Sequence, residues 1–157
     1  MPDRLEWVLL AYRIPREPST PRITVWRKLR RLGVVQVVDG LVALPAEART
    51  REQLEWLADE VLEAGGAATI WLGRLGSAAQ ERALAARMAE AVGGEYRQLI
   101  DDATTARTKP ETTRRRTLAR LRREFHRVTQ RDFFPPPERE HASQAISALG
   151  ELLEVSQ

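Results

Sequence analysis

VVQVVDGLVALP (34–45) is the stretch that decides the fold of this chain. Two β-rich runs, VVQVV and LVALP, meet at Asp39-Gly40, a pair that tolerates positive φ, so the stretch reads as a tight hairpin. On its N-terminal side, WVLLAYRI (7–14) is an almost unbroken apolar run stopped by Pro15, the pattern of a strand buried on both faces. Between the two, Thr20-Pro21 supplies a cap followed by a first-turn proline, and a helix runs from 20 to Gly33. On that helix Ile23, Trp26, Leu29 and Leu32 share one side, while Arg27, Lys28 and Arg31 share the other. On the C-terminal side of the hairpin, Thr50 to Gln53 spells a capping box. It opens a helix over 50–64 whose core face is Leu54, Leu57, Ala58, Val61 and Leu62, closed by Gly65-Gly66. ATIWL (68–72) reads as the last strand of this region.

The order is therefore β-α-β-β-α-β over 5–73, which predicts an α+β fold: a ferredoxin-like sandwich with two helices on one face of a four-stranded antiparallel sheet. A winged helix with 34–45 as its wing is the competing architecture; strand 7–14 is too long and too apolar for it. Beyond the core, three helices are expected. One covers 77–100 with a break at Gly93-Gly94, a second runs from near Pro110 to about Arg131, and a third covers roughly 138–154. DDATTARTKP between the first two reads as a loop, and FFPPP as a breaker. The division is a core over 1–76 and a helical extension over 77–157.

The 157 residues contain no cysteine, which excludes a disulfide framework and thiol chemistry and suits a cytoplasmic location. MPDRLEWVLLAYRIP is too short and too interrupted an apolar run for a signal peptide or membrane span. The net charge is only +3, but it is unevenly distributed. Ten basic and two acidic residues lie between Arg107 and Arg131, whereas five acids and no base lie between Glu52 and Glu63. On the helix that carries the basic run, Leu118, Leu121, Phe125 and Val128 form a packing seam. Arg116, Arg120, Arg123 and Arg127 step by four, three and four, so they share one face within about 60° and span roughly 16 Å. Guanidiniums so spaced suit a row of phosphate oxygens. The same stripe equally suits a solvated face, or pairing with the acids of 50–64. Trp56 lies among those acids, on the side opposite Leu54 and Val61, and is expected to mark an interface with another helix or a second subunit.

No catalytic, cofactor or metal constellation is present in the sequence. His126 and His141 lack ligand spacing, and there is neither a glycine-rich phosphate loop nor a nucleophile elbow.

WVLLAYRIPREPSTPRITVWRKLRRLG, VVDGLVALPAEARTREQLEWLADEVLEAGG and REFHRVTQRDFFPPPERE together resemble the N-terminal domain of the ChrB family of chromate-resistance regulators, over about 5–153. More distantly the chain is similar to the ferredoxin-like middle domain of PaaX-type repressors, a fold shared with CRISPR-associated nucleases. The resemblance implies a bacterial, DNA-associated transcriptional regulator of chromate efflux. The nucleases of this fold use an aspartate at the end of the first strand, where this chain has Tyr12, Arg13 and Ile14, so nuclease activity is not carried over. Full-length relatives add a C-terminal domain implicated in chromate sensing, which makes a separately encoded sensing domain a candidate partner. The expectation is thus a non-enzymatic homodimeric DNA-binding regulator that contacts phosphates through Arg27, Lys28 and Arg31 and through Arg116, Arg120, Arg123 and Arg127. The alternative is an interaction module whose arginines pair with an acidic face and which has no DNA affinity of its own.

Overall fold

The computed structural model describes residues 4–155, which fall into two compact units meeting within one helix, at Met88 and Ala89. The first unit is built on a four-stranded antiparallel sheet of β1 (Trp7–Arg13), β2 (Val35–Val38), β3 (Leu41–Pro45) and β4 (Ala67–Gly73), in the order β2-β3-β1-β4. The 34–45 stretch is a hairpin as expected, and it is not a free wing, because β3 pairs with β1 from Ala11↔Leu41 to Trp7↔Pro45. Only Gly40 adopts positive φ in its turn, and the β2–β3 register shifts between Gln36 and Val38. A side chain on Gly40 would press to 2.8 Å from the Tyr12 carbonyl, so glycine serves both the turn and the close approach.

Two crossovers interleave. Helix α1 (Thr20–Leu32) leads from β1 to β2, which β3 separates, and α2 (Ala48–Glu63) leads from β3 to β4, which β1 separates. Val8, Leu10, Val42 and Leu44 are fully buried on one sheet face. Trp7, on the other face, donates its indole N–H to Glu81 at the start of α3 (Ala78–Ala106). The first turns of α3 therefore lie on the side opposite α1 and α2, where Arg87 also reaches the Gln36 carbonyl.

Several local expectations are corrected. Helix α1 begins after Ser19, which makes no side-chain cap bond, and Thr20 is already helical. Its buried residues are Val25 and Leu29, whereas Ile23 and Trp26 are exposed, because the buried pair sits about 80° round the helix from Trp26. Helix α2 begins two residues early, with Glu47 at its cap and Thr50 inside its first turn. Thr50 is fully buried; its hydroxyl accepts the Glu47 N–H at 2.9 Å and donates to the Pro45 carbonyl at 2.6 Å, so burial and pairing outrank its value as a cap. Leu62 is exposed, lying beside the Leu54, Leu57, Ala58, Val61 stripe rather than on it.

The second unit packs the rest of α3 with α4 (Glu111–Gln130) and α5 (Glu138–Val155). Gly93-Gly94 does not break α3, and the expected 101–110 loop is helical through Ala106. Two glycines cost about 1 kcal/mol each against alanine. Val92, Tyr96, Leu99, Ala103 and Ala106 continue one buried seam straight past them, and burying a side chain the size of Val92 or Leu99 contributes about 1.5–3 kcal/mol. A side chain on Gly93 would meet the Glu138 carboxylate at 2.6 Å, so the glycine admits the start of α5. On α4, Leu118, Leu121 and Val128 are buried and Phe125 packs against them, with its ring 5.8 Å from that of Tyr96.

Candidate nucleic-acid interface

In the first unit the exposed side of α1 carries the cations. Arg27 and Arg31 are exposed, and among the described residues neither has an ion-pair partner. Lys28 differs: its ammonium bonds Glu60 Oε1 of α2 at 2.6 Å. The three residues expected to act together are therefore split by the structure into two free arginines and one lysine held by a carboxylate.

Beside this face lies a groove of about 650 Å³ where the end of β1, the start of α1 and the hairpin turn meet. Tyr12, Arg13, Arg22 and Trp26 line it, with Ser19 at the start of α1 and Asp39 at the turn. Burial holds the Tyr12 phenol above its ordinary pKa; Arg22 opposes that rise and Asp39 adds to it. The phenol thus stays protonated at neutral pH and can serve as a donor. Asp39, the acid of the groove lining, accepts a bond from Gln36 at 3.2 Å. The groove faces a ligand with two guanidiniums, a phenol and a hydroxyl, a donor set suited to oxygen anions. Arg13 and Arg22 were missed in the sequence because each looks like a lone surface arginine. Only the fold brings the end of β1 to the first turn of α1.

In the second unit the α4 stripe forms as its spacing requires, with Arg116, Arg123 and Arg127 exposed. Arg120 is the exception. It bonds Glu124 at 3.1 Å and Asp102 of α3 at 3.3 Å, and these bonds, Glu124 first, hold its guanidinium pKa above the usual value. Among the described residues Arg116, Arg123 and Arg127 have no carboxylate within ion-pair distance. Trp56 is 64% exposed on the outer face of α2, among the exposed Glu52, Glu55, Asp59 and Glu63.

The Asp132 of the RDFF element has a structural place. Its side chain is fully buried, accepts the Tyr96 hydroxyl at 2.7 Å and lies 3.6 Å from Arg139. Burial, then this bond, hold the Tyr96 hydroxyl far above its ordinary pKa. The neighbouring Arg131 pairs with Glu95.

The fold is that of an α+β protein with a four-stranded antiparallel sheet and five helices, and exposed arginines lie on α1 and α4. The chain belongs to the ChrB N-terminal family: the family model described as "Protein ChrB, N-terminal" matches residues 22–155. It is similar to Protein ChrB of Cupriavidus metallidurans (strain CH34), at 26% identity over 133 residues. That alignment covers 82% of this chain and 40% of the relative, so the chain spans less than half of the relative's length. No solved structure matches the chain.

Proposed function

We propose that this chain is a non-enzymatic, DNA-binding transcriptional regulator of the ChrB N-terminal type, associated with chromate resistance. Membership of the family supports the regulatory reading. The observation that carries DNA contact is the set of exposed arginines without acidic partners, Arg27 and Arg31 beside the Arg13–Arg22 groove, and Arg116, Arg123 and Arg127 on α4. Arginine without a carboxylate partner keeps its fork available for phosphate, and each contact releases a counterion. The first unit is read as ferredoxin-like because its two β-α-β crossovers interleave. The active form is read as a cytoplasmic homodimer, since regulators match two-fold operators. No helix among the described residues is long and apolar enough to cross a membrane. Chromate sensing is assigned in this reading to a separately encoded domain, on the family resemblance alone.

A second reading has its own observations. Lys28 is held by Glu60, and Arg120 by Asp102 and Glu124, so part of the basic charge is structural, as in an interaction module without DNA affinity. A gel-shift titration of the full chain on duplex DNA at several salt concentrations separates the two. The regulator binds with an affinity that falls steeply with salt, and the interaction module leaves the duplex unshifted at every concentration.

A further inference from the structure

The sheet has two edges, and they are built differently. The β2 edge is short, four residues, and its ladder is interrupted between Gln36 and Val38. Those are the ordinary devices that keep an edge from pairing with another chain. The β4 edge has none of them. AATIWLG is seven residues long and unbroken in register against β1, with no charge, no proline and no bulge.

The backbone direction of β4 follows from its neighbours. Tyr12 N–H bonds the Gly40 carbonyl at 2.8 Å, and Ala46 N–H bonds the Glu6 carbonyl at 2.9 Å. Even-numbered residues of β1 therefore direct their polar groups to β3, and Trp7, Leu9, Ala11 and Arg13 direct theirs to β4. Their partners Gly73, Trp71, Thr69 and Ala67 bond back, which leaves Ala68, Ile70 and Leu72 pointing N–H and C=O outward. Among the described residues these outward groups have no backbone partner. Apolar surface flanks them on both sides. Trp71 is 61% exposed below the edge; Leu72 is 43% exposed above it, on the side where Leu62 of α2 is also exposed.

We propose that β4 is a homodimer seam, pairing antiparallel with β4 of a second copy about a two-fold axis through Ile70. The register is self-complementary. Ile70 bonds Ile70 of the second copy, and Ala68 bonds Leu72 of the second copy in both directions, giving about six backbone bonds. Trp71 packs against Thr69 of the second copy, in the closer, non-bonded type of pair. No charge meets a like charge along the strand. At each end Arg74, which has no ion-pair partner among the described residues, arrives opposite the turn where α2 ends. That helix end carries the exposed Glu63 and no basic residue in its last turn, so a cation is favoured there. The second copy is the occupant that brings this matching charge at both ends. The seam gives the homodimer of the proposed regulator its location, and it rests on none of the DNA contacts.

The test is sedimentation of the full chain with two variants, beside a cross-linking pair. Ile70→Pro removes an outward N–H that the intact sheet does not use, an edge position where proline is tolerated. Wild type sediments as a dimer, Ile70→Pro as a monomer with unchanged circular dichroism, and Trp56→Ala as a dimer. The chain has no cysteine, so Ile70→Cys supplies a single thiol. Ile70 residues paired across the axis have Cα atoms about 5.5 Å apart, within disulfide range. Oxidised Ile70→Cys forms a covalent dimer, and Val38→Cys on the opposite edge does not. A monomeric wild type, a dimer that survives Ile70→Pro, dissociation by Trp56→Ala, or equal cross-linking at both edges would each overturn the seam. If Ile70→Pro fails to fold, the cross-linking pair decides alone. Loss of DNA affinity with sedimentation unchanged counts against the regulator reading and leaves the seam standing.

Discussion

Lys28 Nζ lies 2.6 Å from Glu60 Oε1, so the one lysine of the α1 basic face ties α1 to α2 instead of standing free for phosphate. Lys28→Gln is therefore expected to leave the salt dependence of DNA binding nearly unchanged. Its stability cost stays below about 1 kcal/mol, because both side chains remain more than a third exposed to solvent and salt. Denaturant midpoints and a salt series on the same variant check both halves.

On α4 the same logic separates Arg120 from its neighbours. Arg116, Arg123 and Arg127 changed together to glutamine should lower the salt slope of DNA binding by about 2.7, at about 0.9 per phosphate contact. Arg120→Gln should instead lower stability by less than about 1 kcal/mol, since the Arg120 side chain is only half-buried and its ion pairs are screened by solvent. Should the triple variant melt early while its slope is untouched, α4 is not a DNA-contacting helix.

How far the sequence reached follows from these same residues. The sheet was legible because short β-rich apolar runs and Asp39-Gly40 are local signals, and the α4 seam because Leu118, Leu121, Phe125 and Val128 repeat at helical spacing. Gly93-Gly94 misled because propensity is local, whereas the seam from Val92 to Ala106 that overrides it is tertiary. Spacing puts the four arginines of α4 on one face, but it cannot show that Asp102, eighteen residues upstream, would hold Arg120. Likewise nothing local links Lys28 to Glu60, or Arg13 to Arg22.

Thr50 provides a stability test of the hairpin–α2 junction. Its hydroxyl serves both the Glu47 N–H and the Pro45 carbonyl while fully buried. Thr50→Val keeps the shape and leaves both groups unpaired, so it should destabilise by about 1–3 kcal/mol. Chemical denaturation should show a lower midpoint with an unchanged m-value.

Tyr96 and Asp132 make the second unit sensitive to alkali. Because the folded pKa of Tyr96 is raised, the folded protein keeps a proton that the unfolded chain gives up near the ordinary tyrosine value. The stabilisation is complete below that value and is lost as pH rises above about 10 toward the folded pKa. Tyr96→Phe should cost about 1–3 kcal/mol at neutral pH by leaving the buried Asp132 without its hydroxyl donor. It should also flatten this alkaline loss. Melting curves of both proteins from neutral to alkaline pH test the pair, and parallel declines would show that another group is responsible.

The most direct test of the proposed function is fluorescence anisotropy of duplex DNA with wild type and the Arg27→Gln/Arg31→Gln double variant over one salt series. Both arginines are exposed and outside the core, so the variant should fold as wild type does. The account predicts that log K for wild type falls linearly with log salt, and that the double variant's slope is shallower by about 1.8. A wild type whose binding ignores salt, or two folded proteins with the same slope, would contradict it.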